Sequence, residues 1–148
     1  MEKTAMKQEK RRVVITGMGT VNPLGHDIDA TWQRTVNGQS GIGPITHFDA
    51  SDLKTRFAGE VQDFDPDALF GRKEARRMDR VTQLAMAAAG QAINHAHLSV
   101  SEGSRHRIGV IMGSGMGIMQ PIIENQSVLQ ERGGSRVSPF FVPMMLAD

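Results

Sequence analysis

Two short apolar runs without polar alternation dominate the hydrophobic pattern, and each leads into a glycine-rich segment. The first is residues 13–16 (VVIT), and the second is residues 108–112 (IGVIM). Such runs are typical of strands that are buried on both faces, as in parallel sheets covered by helices. The pattern therefore predicts two buried strands whose carboxyl ends lie at a sheet edge, where ligands bind in open α/β folds.

Glycine occupies every second position after the second run, at Gly113, Gly115 and Gly117. Glycine packs nothing in a strand and loses the most chain entropy on folding, so these residues indicate a loop. Two interpretations remain open on spacing alone. The loop either lets the backbone pass close to a ligand, or it is a tight turn from strand to helix.

Helical periodicity predicts three amphipathic helices. One covers residues 28–36 and begins at an Asp27 cap. A second, at residues 73–96, repeats small alanines on one face, which indicates close packing against a neighbour. Its Gly90, a poor helix former, is expected to mark such an approach. A third follows Gly117.

Between the first two helices the pattern is weaker. Residues 39–44 are rich in turn formers, and residues 56–61 (RFAGEV) predict a short edge strand. The acidic residues of 63–74 match four ligand positions of a calcium-binding loop, but its required glycine is replaced by Ala68. A short helix capped by Asp65, with Pro66 in its first turn, explains the same residues better.

Five basic residues crowd the start of the long predicted helix. They are Arg72, Lys73, Arg76, Arg77 and Arg80. Cations at a helix amino terminus oppose its dipole, and like charges four residues apart repel. The run is either a solvated face or a docking surface for an acidic partner, and the sequence supports both equally.

Composition narrows the function classes. The 148 residues have a net charge of +1, which gives no global field directed at nucleic acid or an anionic membrane. No apolar run approaches the ~20 residues that a membrane helix needs. The chain has no cysteine, which excludes a disulfide framework or thiol nucleophile among these residues and agrees with a cytoplasmic location. Five scattered histidines offer no converging metal ligands.

The two ends of the chain have contrasting patterns. Residues 1–11 are polar and predict a mobile tail, so the folded part is expected at residues 12–148. Residues 138–148 are mostly apolar, and Pro143 is placed to begin a helix with five residues after it. A helix that short is unstable alone, so we expect the chain to stop inside an element.

Six motifs in a fixed order resemble one family. They are RVVITGMGTVNPLG (12–25), GQSGI (38–42), FAG (57–59), RKEARRMD (72–79), IGVIMGSGMG (108–117) and SPFFVP (138–143). Together they resemble the amino-terminal part of the elongating β-ketoacyl-acyl carrier protein synthases of type II fatty acid synthesis. The resemblance covers nearly the whole chain but only about the first third of a typical family member, which exceeds an average domain in length.

This resemblance implies an α/β fold, namely the N-terminal part of the thiolase-like layered α-β-α-β-α fold, here incomplete, in an obligate homodimer. It implies decarboxylative condensation of an enzyme-bound acyl group with malonyl-acyl carrier protein, without a cofactor or metal. The family's catalytic cysteine, histidines and lysine lie beyond the position that matches Asp148. We therefore assign no catalytic residue and expect this chain alone to be inactive.

The resemblance also implies peripheral site residues. Met116 matches an acyl-pocket position, and Phe141 and Val142 match positions that reach the acyl channel. The basic helix that meets the acidic carrier protein is matched by Lys73, Arg76 and Arg77. Arg136 matches one member of a second basic pair, whose other member is here Ser135.

Two alternative functions differ from a catalytic synthase segment. The chain could be a noncatalytic partner subunit, similar to a chain-length factor, because the family includes partners without the cysteine. The second alternative is a dinucleotide-binding domain that uses Gly17 and Gly19. Its third glycine position holds Asn22, and no acidic residue follows at the required distance.

Overall fold

Helices joined by long irregular segments make up the computed structural model, which describes residues 11–115, 117 and 119–145. The helices are α1 (Ile28–Val36), α2 (Pro66–Phe70), α3 (Arg72–Ala75), α4 (Arg80–His95), α5 (Met119–Arg132) and α6 (Phe141–Met145). Two strands, β1 (Ile42–Pro44) and β2 (Phe57–Gly59), and two 3-10 turns, Arg105–Arg107 and Gly134–Arg136, complete the described elements. The predicted tail lies almost wholly outside the described residues.

The loop of residues 17–20 lies directly against the carboxyl-terminal half of α4. A Cβ atom added at Gly17 would overlap the Ala92 carbonyl oxygen, and one added at Gly19 would overlap the Ala88 carbonyl oxygen. Only glycine allows backbone to approach a helix this closely. The predicted close packing of the alanine face is therefore confirmed, and its partner is the first glycine loop.

Two α4 side chains hold the same loop by hydrogen bonds. Gln91 Oε1 accepts from the Thr20 N–H at 3.0 Å, while Gln91 Nε2 donates to the His26 carbonyl oxygen at 2.5 Å. His95 Nδ1 accepts from the Met18 N–H at 3.1 Å. These contacts join segments 65 to 77 residues apart in the chain, so α4 fixes the position of the first glycine loop.

The two predicted buried strands are wrong within the described structure. Residues 13–16 and 108–112 form no strand, and Ile15 and Ile111 are 83% and 97% exposed. A strand is stable only when neighbouring strands pair its backbone and its apolar side chains are covered. No other described segment pairs with these runs or covers them.

The sheet seen in the described residues is an antiparallel pair, with Ile42 opposite Gly59 and Pro44 opposite Phe57. The second strand confirms the prediction for residues 56–61. The first strand falls in the segment that the sequence predicted as turn, so that prediction is wrong for residues 42–44. Glycine and proline lie beside and within this short strand. Because both residues are typical of turns, the composition of the segment did not indicate a strand.

The long helix predicted over residues 73–96 is interrupted at residues 76–79. Asp79 caps α4, because its Oδ1 accepts from the Thr82 N–H at 2.9 Å. Gln83 Nε2 donates to the carbonyl oxygens of Ala75 and Met78 at 2.9 and 3.2 Å, which holds the link between α3 and α4. The cap signal at Asp79 thus overrides the helical periodicity that runs through it.

The two predicted helix caps, Asp27 and Asp65, are confirmed. Asp27 Oδ1 accepts from the Ala30 N–H at 2.7 Å at the start of α1. Asp65 Oδ1 accepts from the Ala68 N–H at 3.1 Å at the start of α2. The helix predicted after Gly117 is α5. Pro143, predicted to begin a helix, is instead the third residue of α6.

Few described side chains are fully removed from solvent. The buried apolar residues among them are Ala50 and Ala75, and Asp79 is a buried polar residue. Fully burying a large aliphatic or aromatic side chain contributes about 1.5–3 kcal/mol, and no described residue of that size is fully buried. Hydrogen bonds and glycine contacts around α4 therefore carry much of the described tertiary structure.

Substituting the glycines on and against α4 should have opposite effects. Gly19→Ala is expected to destabilise the chain by about 1–3 kcal/mol, because the new Cβ overlaps α4 backbone. Gly90→Ala is expected to stabilise it by about 0.8–1.0 kcal/mol through helix propensity. Nothing lies within 4 Å of a Cβ at Gly90, so the expected close approach there is wrong. Urea unfolding followed by circular dichroism tests both, and a Gly19→Ala chain as stable as the parent contradicts the packing described.

The free energy of unfolding should fall in acid because of Glu60, which directly follows β2 and binds the segment after β1. Its carboxylate accepts from the Thr46 hydroxyl at 2.7 Å and from the backbone N–H groups of Thr46 and His47, which lowers its pKa from 4.5 to about 2. The carboxyl group of Glu60 has a lower pKa in the folded chain than in the unfolded chain. Its contribution to stability is therefore complete above pH 4.5 and is lost as the pH falls toward 2. Urea midpoints should show this loss, and Glu60→Gln should remove it. Glu131→Gln, on exposed α5, is the control, and equal pH dependence in both variants would contradict the assignment.

Candidate functional site

A surface groove of about 600 Å³ is lined by four cationic side chains and one aromatic ring. We call it the basic groove, and its lining residues are Arg72, Lys73, Arg76, Arg77 and Phe140. All five are exposed. The structure thus brings together the three residues predicted for carrier docking on the basic helix.

The interruption between α3 and α4 determines how these cations are placed. Arg72 and Lys73 lie on α3, whereas Arg76 and Arg77 follow its carboxyl end. The Arg77 N–H donates to the Glu74 carbonyl oxygen at 3.0 Å, which keeps the chain in a tight turn. Cations at a carboxyl terminus complement the dipole, so the expected conflict with the dipole is wrong for Arg76 and Arg77.

Arg77 has two partners at the groove. Its Nη1 lies 3.0 Å from Glu74 Oε1, and its Cζ lies 5.2 Å from the centroid of the Phe140 ring. The first contact is an exposed ion pair and the second is a cation–π contact, each contributing about 1 kcal/mol or less at an exposed site. The ion pair with Glu74 is weak enough for an acidic binding partner to replace.

Arg80, the fifth cation of the run, is held elsewhere. Its Cζ lies 4.8 Å from the Phe64 ring centroid, and its guanidinium donates to the carbonyl oxygens of Val61 and Phe64 at 3.0 and 3.4 Å. Arg80 does not line the groove. It ties the amino terminus of α4 to the segment that follows β2, so its part is structural.

Arg136 is exposed at the end of a 3-10 turn and does not line the basic groove. The segment after it is fixed on α5, because the Ser138 N–H donates to Asn125 Oδ1 at 3.1 Å and Asn125 Nδ2 donates to the Pro121 carbonyl oxygen at 2.9 Å. The structure therefore places Arg136 on the same segment as Phe140, four residues before it, without joining it to the other predicted docking residues.

The predicted acyl-channel residues lie on α6. Phe141 is half-buried and Val142 is 60% exposed. Met116 lies outside the described residues. A cavity of about 460 Å³ adjoins α6, and its lining includes Met144, Pro121 and Asp79. The described structure thus contains a cavity next to α6 that Phe141 and Val142 do not line.

Phe140 in the groove and Met144 in the cavity are among the lining residues that sequence reasoning missed. Both lie in or beside the SPFFVP motif, so the signal was present. Phe140 lines a cationic groove only because the fold brings residue 140 against residue 77, and no local sequence pattern predicts that contact.

The described residues contain no group of three or more histidine, aspartate or glutamate side chains that could hold a metal ion. In the same part of the chain, no helix has the length and apolar character needed to cross a membrane.

Comparison with protein families identifies the fold. The family model for the β-ketoacyl synthase N-terminal domain matches residues 10–148. A 3-oxoacyl-acyl-carrier-protein synthase 2 of Synechocystis sp. is 48% identical over 140 residues, covering 95% of this chain and 34% of that protein. The enzyme of the same name from Vibrio harveyi is 45% identical over 139 residues, covering 94% of this chain and 34% of that protein.

Solved structures of ketosynthases also resemble the fold of this chain. The ishigamide ketosynthase/chain length factor superposes with a TM-score of 0.74 at 27% identity, covering 93% of this chain and 34% of that one. A β-ketoacyl synthase from Burkholderia phymatum gives 0.73 at 30% identity, covering 91% and 34%. The chain spans about a third of these relatives' length.

These similarities confirm both the resemblance to the synthases and the fold class, a partial N-terminal part of the thiolase-like α/β fold. The dinucleotide-binding alternative is not supported, because the first glycine loop packs on α4 and its surroundings match a synthase domain. The chain therefore belongs to the β-ketoacyl synthase family and carries part of its N-terminal domain.

Proposed function

We propose that this chain supplies the carrier-docking surface and one wall of the acyl channel of a 3-oxoacyl-acyl carrier protein synthase. The whole enzyme would condense an enzyme-bound acyl group with malonyl-acyl carrier protein as a homodimer in the cytoplasm. The observation that carries the proposal is the basic groove, where Lys73, Arg76 and Arg77 lie together on one exposed surface.

Charge complementarity supports an acidic partner. The chain as a whole has a net charge of only +1, so the four cations of the groove are a local concentration of charge. Clustered exposed charge accelerates encounter with an oppositely charged protein and fixes its orientation, and salt screens the attraction. An acidic carrier protein fits such a surface, whereas a neutral small molecule gains nothing from it.

The acyl-channel assignment is a proposal that rests on family position. Met116, Phe141 and Val142 match channel positions, and α6 begins one residue after a groove residue, Phe140. A docked carrier would therefore sit near the helix that the acyl chain must pass. Arg136 remains a proposed secondary docking residue, since it is exposed on the preceding segment.

The reaction groups of the family are not assigned to this chain. The family nucleophile is a cysteine thiolate, and these 148 residues contain no cysteine. Two-thirds of the length of the relatives has no counterpart here. We propose that this segment binds and orients the carrier, while the carbon–carbon bond forms on residues outside it.

A second candidate function is a noncatalytic partner subunit. Similarity to a ketosynthase/chain length factor structure favours it over other binding roles. Stable co-purification with a complete synthase, in equal amounts and without carrier protein, would support this candidate.

Reversing the charges of the basic groove should weaken carrier binding. Lys73→Glu, Arg76→Glu and Arg77→Glu together are expected to raise the Kd for acyl carrier protein at low salt by at least about tenfold, or about 1.4 kcal/mol. High salt should shrink the difference. Fluorescence anisotropy with labelled carrier measures this effect. The matched control reverses Lys54, Arg105 and Arg132, which do not line the groove; an equal loss in the control would support a solvated face instead.

The 148-residue chain alone should form no 3-oxoacyl product from acyl- and malonyl-carrier protein, because it provides no thiol for acyl transfer. Mass spectrometry of the carrier-bound products measures this. A complete synthase, assayed in parallel, confirms that the substrates are competent. Product above the enzyme-free background would contradict the proposed division of roles.

A further inference from the structure

We infer that Phe140 is a positioning residue that transmits carrier docking at the basic groove to α6, through its contact with Arg77. The inference rests on the proposed function and adds a coupling between the docking surface and the acyl-channel helix. The juxtaposition that carries it is a single residue whose ring lies in the groove and whose carbonyl oxygen accepts a hydrogen bond from the Met144 N–H of α6.

The ring side of this link is the cation–π contact. Arg77 Cζ lies 5.2 Å from the Phe140 centroid, while the edge of the guanidinium pairs with Glu74 at 3.0 Å. A guanidinium stacks through its face and binds carboxylates through its edge. An incoming carboxylate therefore competes with Glu74 for the edge and leaves the face on Phe140. Docking would fix Arg77 more firmly over the ring.

The backbone side of the link is the first turn of α6. The Phe140 carbonyl oxygen accepts from the Met144 N–H at 2.9 Å, and the Phe140 N–H donates to Ser138 Oγ at 3.2 Å. The Phe141 N–H donates to the Ser138 carbonyl oxygen at 3.0 Å. Restricting Phe140 therefore restricts the turn that presents Phe141 and Val142.

The other groove cations lack this second connection. Within the described residues, Arg77 is the one found stacked on Phe140, and Lys73 and Arg76 line the groove without an aromatic partner. Lysine at position 77 would keep the charge but lose the planar stack. Arg77→Lys should therefore keep the electrostatic attraction of the carrier but lose the contact that links the groove to α6. Phe140→Leu should lose the same contact by removing its aromatic ring.

Hydrogen exchange with mass spectrometry tests the inference on the 148-residue chain, with and without acyl carrier protein. Each variant is measured at a carrier concentration that saturates it by its own Kd. In the unaltered chain, the carrier should slow exchange both in residues 72–77 and in residues 141–145, the latter by at least about fivefold through stabilised local structure. Phe140→Leu and Arg77→Lys should retain slowing at 72–77 and lose it at 141–145. Phe48→Leu, an exposed phenylalanine outside the groove, is the control and should behave as the unaltered chain.

The possible outcomes separate the two proposals. Slowing at 72–77 but unchanged or faster exchange at 141–145 in the unaltered chain overturns the coupling and leaves carrier docking intact. Equal slowing at 141–145 in Phe140→Leu also overturns the coupling. Absence of any slowing at 72–77 in the unaltered chain overturns carrier docking, and the coupling with it.

Discussion

The contact between the first glycine loop and α4 is the constraint on which the described structure depends. Gly17 and Gly19 place backbone against Ala92 and Ala88, at a separation that no side chain could occupy. Gln91 then accepts a hydrogen bond from the partly buried Thr20 N–H, so steric fit and hydrogen bonding select the same register. The other end of α4 is fixed by Asp79 and by the bonds of Gln83 to the preceding link. The basic groove is therefore positioned by a helix held at both ends.

Local signals of the sequence predicted the short-range structure well. Each cap, at Asp27 and at Asp65, depends on one side chain and a backbone amide three residues later. Four consecutive residues are therefore enough to predict where each helix begins. The cationic run is equally local, which explains why the sequence identified the cations that line the groove. The interruption at Asp79 carried the same kind of cap signal, but the strong alanine periodicity on both sides concealed it.

Predictions that depend on distant segments were wrong or incomplete. An apolar run such as residues 108–112 indicates that something covers it but not what, and within the described residues nothing does. Phe140 was overlooked for the related reason that its place in the groove depends on contact with Arg77, far away in the chain. Resemblance to the family supplied what periodicity lacked, because an ordered set of motifs reflects the whole fold rather than one element.

The two uncovered apolar runs also affect how this polypeptide behaves at high concentration. Val110 and Ile111, like Val14 and Ile15, present β-branched side chains beside backbone groups that accept a neighbouring strand. Short segments of this composition pair readily with identical copies and stack into fibrils. We therefore expect the chain to self-assemble at high concentration, and chaperones that bind extended hydrophobic peptides to bind both runs.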